Sequence, residues 1–208
     1  MQRAQALDDL AASLSGVVNS LDTTIMFASA GTLDSEDVTE SFTDHREDIL
    51  QLTQVLVGDV QALLGASTGT KQELINAGET AHNNVTQLVE KIKSAATSLG
   101  SSNQETQVML LNSARDVCSS LHGLLVHAKT ANGQDVDHPA YEQVSDYSRV
   151  SESERKESLL SYLAAGSHTE HYQLPQVRQV LRGREHAGHQ GGGELYRGHQ
   201  QRDPGVLQ

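Results

Sequence analysis

The side chains that could take part in chemistry are ten histidines and a single cysteine, Cys118. Five of the histidines lie near the C-terminus: His168, His171, His186, His189 and His199. Their spacing is irregular, and no acidic or thiol partners recur at fixed intervals, so they form no recognisable metal-binding pattern. The glycine-rich run GHQGGGEL at 188–195 follows no predicted strand and lacks the lysine of a phosphate-binding loop. These residues therefore predict neither a metal site nor a phosphate site.

Three further candidates, His45, His122 and Cys118, fall on or near the apolar stripes of predicted helices. An enzyme or metalloprotein built in a helical bundle would use inward Glu residues and Glu-x-x-His pairs on facing helices. We expect no Glu-x-x-His pair in the four predicted helices. We interpret His45 as a histidine at the core edge with its hydrogen bonds satisfied. Cys118 would act as a nucleophile only beside a base, and we interpret it as a buried structural thiol. We predict no catalytic, cofactor-binding or metal-binding residue and keep a helical-bundle metalloprotein or enzyme as the alternative.

The composition favours a core of packed helices. Aromatic residues make up 3% of the chain and tryptophan is absent, so Leu, Val, Ile and Ala must supply the core. The net charge of −12 argues against a surface that binds nucleic acid. A single cysteine allows no disulfide within the chain and favours a reducing, cytosolic compartment. We also expect no membrane-spanning segment, and no signal peptide behind Met1.

Apolar residues at spacings of three and four predict four helices. The predicted spans run from about Gln5 to Ala30, from Ser35 to Gly65, from Lys71 to Gly100 and from Glu105 to Gly133. Glu36 and Asp37 would favour the positive end of the second helix. Because the connecting loops are short, sequential helices should be antiparallel neighbours, and we predict an all-α, up-and-down bundle.

The fourth predicted helix has a wide apolar face that contains many small residues. Its members are Leu110, Ala114, Val117, Leu121, Leu124 and Ala128, widened by Leu111, Cys118 and Leu125. A helix that faces one core ordinarily shows one narrower stripe. This face is wide enough for two sets of partners.

Four stretches carry a resemblance to a known family: LDDLAASLSGVVNSLDTTIMFASAGTL, ESFTDHREDIL, AATSLGSSNQETQVMLLNSARDV and DHPAYEQ. Over residues 6–143 they resemble the C-terminal part of the talin rod, the segment that carries the second integrin-binding site. The resemblance implies a five-helix bundle within a longer adaptor that links integrin cytoplasmic tails to actin, so we expect a fragment of such a protein. It also implies a cytoplasmic location, in the cytoskeleton at focal adhesions.

The same resemblance implies a cryptic vinculin-binding helix. Such helices in talin look like L-x-x-A-A-x-x-V-A-x-x-V-x-x-L-I-x-x-A. The nine matching positions, called here the nine binding residues, are Leu110, Ser113, Ala114, Val117, Cys118, Leu121, Leu124, Leu125 and Ala128. Ser113 and Cys118 replace alanines and two leucines replace a valine and an isoleucine, so small positions stay small and aliphatic ones stay aliphatic. We therefore expect vinculin as a partner, with integrin tails and actin expected from the family alone.

Residues 144–208 differ in character from those before them. Residues 1–143 carry 7 Lys and Arg against 19 Asp and Glu, whereas 144–208 carry 8 of each. When permitted codons for 188–193 are translated one base later, they encode Gly-Thr-Arg-Ala-Val-Glu, which resembles the next talin helix. Residues 144–146 can be encoded by a splice-donor sequence. We therefore interpret 144–208 as an aberrant tail without a compact fold, produced by a retained intron that shifts the reading frame.

The predicted organisation has three parts. Residues 1–133 form the helical bundle, 134–143 are a linker or the start of the family's fifth helix, and 144–208 are the tail. The remainder of that fifth helix is expected to be lost or replaced.

Overall fold

The computed structural model describes residues 2–34, 40–135 and 137–146. It contains four long helices: α1 (Gln2–Ser29), α2 (Phe42–Ser67), α3 (Lys71–Ser98) and α4 (Gln104–Ala131). A short 3₁₀ turn, Ser101–Asn103, leads into α4, and residues 139–146 are helical as well. Every regular element in these ranges is helical, which confirms the prediction of an all-α bundle.

Polar contacts between the helices show how they are paired. α1 and α4 run antiparallel, because low numbers in one meet high numbers in the other: Asp8 with Lys129, Asp22 with Arg115 and Ser29 with Gln104. α2 and α3 are antiparallel in the same way, through Asp48 with Lys91 and Asp59 with Asn84. α1 and α3 are parallel, since Ser13 meets His82 and Ser20 meets Lys93. The prediction that sequential helices are antiparallel neighbours is therefore confirmed for α2 with α3 and for α3 with α4, but it is wrong for α1 and α2, which make no substantial contact. The connection between α1 and α2, residues 30–41, is the longest of the three and lets α1 pack on α4 and α3 instead.

Each helix contributes an aliphatic stripe to one core. In α1 the buried positions recur every seven residues: Leu7, Leu14, Leu21 and Ala28. α2 contributes Ile49, Leu56 and Leu63, which are likewise seven residues apart. A fully buried leucine or isoleucine contributes roughly 1.5–3 kcal/mol, so these stripes supply most of the driving force for folding.

The start of α2 differs from the prediction. Ser41 has an extended backbone, and the helix begins at Phe42 rather than at Ser35. The Ser41 hydroxyl accepts the Asp44 amide N–H at 3.3 Å, and the Asp44 carboxylate accepts the Ser41 N–H at 3.0 Å. This reciprocal capping box fixes the helix start. Glu36 and Asp37 lie outside the described residues.

The other helix ends follow the sequence signals closely. Gly31, Gly100 and Gly133 follow α1, α3 and α4, and all have positive φ, as glycines at helix ends commonly do. The ends predicted at Ala30, Gly100 and Gly133 lie within two residues of the observed ends. Gly65 does not end α2, which continues to Ser67. A single glycine inside a helix costs only about 1 kcal/mol relative to alanine, so it does not by itself terminate a helix whose apolar stripe continues.

α2 is apolar as well as long. Among the described residues, it is the one helix that is long and apolar enough to cross a membrane, judged by length and composition alone. Its Phe42, Ile49 and Leu63 are buried in the bundle core, and Asp48 and Asp59 bind partners on α3. In this structure the helix therefore belongs to the bundle.

The 139–146 helix docks at the end of the bundle where α2 ends. Ala140 and Val144 are buried with the core residues. The Tyr141 hydroxyl lies 3.4 Å from the carbonyl oxygen of Ser67 and 3.3 Å from that of Gln134. The tail is predicted to begin at residue 144, but residues 144–146 continue this helix and Val144 packs in the core, so that boundary is wrong. The predictions for the remainder, that the rest of a fifth helix is lost or replaced and that the tail lacks a compact fold, concern residues 147–208 and lie outside the described residues.

Candidate partner-binding helix

α4 lies against three other helices, which explains the width of its apolar face. It packs mainly on α1, also on α3, and makes a smaller contact with α2. The approach to α3 is close at Gly78, where an added Cβ would lie 3.1 Å from Leu125 Cδ1. A helix surrounded on several sides buries more than one stripe, and small residues let the neighbouring backbones approach.

The structure places all nine binding residues on the core side of α4. Eight are buried: Leu110, Ser113, Ala114, Cys118, Leu121, Leu124, Leu125 and Ala128. Val117 is partly buried and packs against the same core. A partner that recognises this face therefore has no access to it while α4 remains in the bundle.

The two buried hydroxyl groups of α4 are satisfied within the helix itself. Ser113 Oγ donates to the Leu110 carbonyl at 2.7 Å, and Ser120 Oγ donates to the Asp116 carbonyl at 2.6 Å. Because these bonds join residues of one helix, they are kept when that helix changes its surroundings. The serines can thus lie in an apolar contact, in the bundle or elsewhere, without leaving an unpaired polar group.

One buried polar residue of α4 was missed by the sequence reasoning. Gln107 is 0% exposed and lies on the core side, three residues before Leu110. Its position relative to the apolar stripe is a signal that could have identified it, but the pattern was read from apolar residues only. The family pattern begins at Leu110 and does not include Gln107.

Cys118 has the environment of a structural thiol, as interpreted from the sequence. It is fully buried, and burial raises the pKa of its thiol to about 12, although the positive charge of Lys93 acts in the opposite direction. The thiol is therefore protonated at neutral pH and is a poor nucleophile.

Histidine is the side chain that most often binds metal ions in proteins. No group of three or more His, Cys, Asp or Glu side chains that could hold a metal ion occurs among the described residues. Glu79 and His82 do have the Glu-x-x-His spacing, contrary to the expectation above. Glu79 is exposed, however, and the His82 ring lies 2.8 Å from Ser13 Oγ.

The second difference from the prediction concerns the hydrogen bonds of His45. It is 6% exposed, as expected for the core edge, but its hydrogen bonds are not all satisfied. Nδ1 lies 3.3 Å from Glu40 Oε2 without the geometry of a hydrogen bond. His122 is partly exposed on α4.

Two ion pairs join the edges of α4 to α1. Arg115 Nε lies 2.5 Å from Asp22 Oδ1, and the Lys129 ammonium contacts the Asp8 carboxylate. The side chain of Lys129 is 37% exposed, so it borders solvent and also binds α1. Exposed pairs of this kind contribute about 0–1 kcal/mol each.

Comparison with known proteins agrees with the geometry of the bundle. Residues 4–164 match the family model described as "Talin 1-like, rod segment domain". The chain is 41% identical over 146 residues to Talin-1 of Gallus gallus and to Talin-2 of Homo sapiens, and 40% identical over 140 residues to Talin of Oscarella pearsei. These alignments cover 67–70% of this chain and about 6% of each relative's length. The chain belongs to the talin rod-segment family.

Proposed function

We propose that this chain acts as part of a talin-like cytoskeletal adaptor linking integrin adhesions to actin, and that α4 is its cryptic vinculin-binding helix. The supporting observation is that the nine binding residues coincide with the core face of α4. One face thus serves the bundle in the closed state and the partner in the open state. The place of action is the cytoplasmic side of focal adhesions.

The chemistry of the face suits insertion into another helical protein. The leucines supply apolar area, while Ala114, Cys118 and Ala128 are small and let partner helices approach closely. Ser113 carries its hydrogen bond with it. A released α4 therefore presents an amphipathic surface with no buried donor left unpaired along the nine binding residues.

The energies indicate why release needs assistance. Burial of leucines such as Leu110, Leu121 and Leu124 contributes roughly 1.5–3 kcal/mol each, in the bundle or in a partner. Removing α4 from the bundle costs much of its free energy of unfolding, which for a domain is typically about 5–15 kcal/mol. A ligand shifts the equilibrium between the closed and the open bundle only by the difference between its affinities for the two states. Mechanical force or destabilisation of the bundle therefore has to raise the population of the open state.

A binding experiment with a peptide of residues 106–131 tests this proposal. The peptide should bind vinculin head as a helix, with Leu110, Val117, Leu121, Leu124 and Leu125 as its anchors. Leu121→Glu should abolish binding, because a carboxylate at the centre of the contact would be desolvated without a partner.

Lys129→Ala is the matched control, since the edge position of Lys129 keeps it out of the apolar contact. The variant peptide should bind as the parent does. Failure of the parent peptide to bind, or tolerance of Leu121→Glu, would show that the wide face serves the bundle core alone.

A further inference from the structure

Gln107 ties the first turns of α4 to two other parts of the bundle. Its Nε2 donates to the Leu33 carbonyl at 2.8 Å, in the segment after α1, and to the Ala96 carbonyl at 3.0 Å, near the end of α3. We call this group, Gln107 with the carbonyls of Leu33 and Ala96, the Gln107 latch. One side chain thus connects three separate segments of the chain.

The surroundings fix the orientation of this amide. Both partners are carbonyl oxygens, which only accept, so the NH₂ group must point towards them. The other amide atom, Oε1, is buried and has no hydrogen-bond partner. Gln107 is held in place by its two donated bonds. The bond to Ala96 is buried and the bond to Leu33 is partly buried, so water competes weakly for the amide.

The latch differs from every polar group among the nine binding residues. The Ser113 bond stays within α4, whereas both bonds of Gln107 end on other segments and break when α4 leaves. Neighbouring contacts act in the same place: Gln104 donates to the Ser29 carbonyl, and the Ser101 amide donates to Asp34 at 2.6 Å. The beginning of α4 is therefore held by bonds that exist only in the closed bundle.

We propose that the Gln107 latch is an autoinhibitory contact that sets how readily α4 leaves the bundle, without being part of the surface that a partner recognises. This inference rests on the proposed function for its consequence in binding, but the latch itself is a property of the closed bundle. Weakening it shifts the population towards the open state and leaves the intrinsic affinity of the released helix unchanged.

Hydrogen exchange of the full chain tests the latch without any partner. Gln107→Glu keeps the size of the side chain but turns a carboxylate towards two carbonyl oxygens, and Gln107→Met keeps the volume but removes both donors. Each should speed the exchange of α4 amides, by on the order of tenfold or more for the glutamate variant. The α2 and α3 amides should be affected less.

Asn84→Ala is the matched control, because it removes a 2.7 Å bond between Asn84 and Asp59 that joins α2 to α3 and does not involve α4. This variant should not selectively speed the hydrogen exchange of the α4 amides. Should Gln107→Glu unfold the whole bundle, the neutral methionine variant decides the outcome. Unchanged α4 protection in Gln107→Met, or equal acceleration of all four helices, would overturn the latch.

Titration with vinculin head separates this inference from the proposed function. Gln107→Met should tighten binding by the full chain and leave binding by the 106–131 peptide unchanged. If the parent peptide does not bind, the proposed function fails, and hydrogen exchange still decides the latch. If the peptide binds but the full-chain variant behaves as the parent does, the latch is wrong while the proposed function stands.

Discussion

α3 and α4 are both 28 residues long and both bury a broad apolar face, but their ends are held in different ways. α3 begins with its own capping box: Thr70 Oγ1 accepts the Glu73 amide at 3.2 Å, and the Glu73 carboxylate accepts the Thr70 amide at 2.7 Å. Asn103, before α4, makes no side-chain capping bond. The beginning of α4 is held instead by Gln104 and Gln107, whose bonds go to other segments.

The C-terminal end of α4 is also bound to other segments of the chain. Asn132 Nδ2 donates to the carbonyls of Ser67 and Gly69, at 3.2 and 2.9 Å, in the connection between α2 and α3. The start of α3 is therefore stabilised locally, whereas side-chain bonds at both ends of α4 go to other parts of the bundle. At the C-terminal end of α4 a local cap bond, from the Asn132 N–H to the Ala128 carbonyl, acts as well. A helix whose end contacts are largely tertiary is suited to leaving as a unit.

The largest expected contrast comes from truncating one core leucine in each helix. Leu88→Ala in α3 and Leu110→Ala in α4 both remove fully buried side chains, and each should cost about 2–5 kcal/mol of unfolding free energy in chemical denaturation. Their effects on vinculin-head binding by the full chain should differ. Leu88→Ala should strengthen binding by populating the open state, whereas Leu110→Ala should leave it nearly unchanged, because the loss of an anchor offsets the gain in open population. Equal strengthening by both variants would remove the distinction between the two helices.

A smaller contrast concerns the helix ends and is measured by circular dichroism of isolated peptides. Thr70→Ala should lower the helix content of a 70–99 peptide, because the loss of a capping residue costs about 0.5–2 kcal/mol even without the bundle. Gln104→Ala should not lower the helix content of a 103–131 peptide, because the bond of Gln104 goes to Ser29 on α1. Loss of helix in the second peptide would mean that the start of α4 is locally stabilised after all.

The smallest expected effect is a dependence of stability on acid pH through the α3 cap. Hydrogen bonds from the Thr70 backbone and hydroxyl hold the pKa of Glu73 below its ordinary value of 4.5. A carboxyl whose pKa is depressed by folding contributes its stability above the unfolded pKa and loses it as the pH falls through the folded one. The thermal midpoint should therefore decline as the pH falls below about 4.5. Glu73→Gln should decline less steeply, and an identical profile would contradict the assigned cap.

The sequence was sufficient for the features that depend on local patterns. Aliphatic spacing predicted the four helices, and glycines with positive φ marked the ends of α1, α3 and α4. The start of α2 differs from the prediction because the Ser41 and Asp44 capping pair, which is present in the sequence, begins the helix, and the acidic residues near 36 do not. Where two local signals indicate different helix starts, the capping hydrogen bonds that form determine where the helix begins.

The sequence predicted the candidate site in part, because some of its features follow a local pattern and others depend on tertiary contacts. The nine binding residues follow an apolar period, so their placement on one face could be read directly. The position of Gln107 on that face could be read in the same way, but its bonds to the carbonyls of Leu33 and Ala96 could not, because they depend on how α4 packs against other segments. The Lys129 contact with Asp8 likewise requires knowledge that α1 and α4 are antiparallel neighbours. Tertiary polar bonds leave little trace in a hydrophobic pattern.

In the proposed function, one face of α4 serves in turn as bundle core and as ligand. The most direct test is to titrate vinculin head against the 106–131 peptide and against the full chain under the same conditions. The peptide should bind more tightly, by at least about 100-fold, because the open state is a small fraction of the folded population. Equal affinity for the peptide and the chain would show that the face is not sequestered. An absence of binding to the peptide would show that it is not a vinculin ligand.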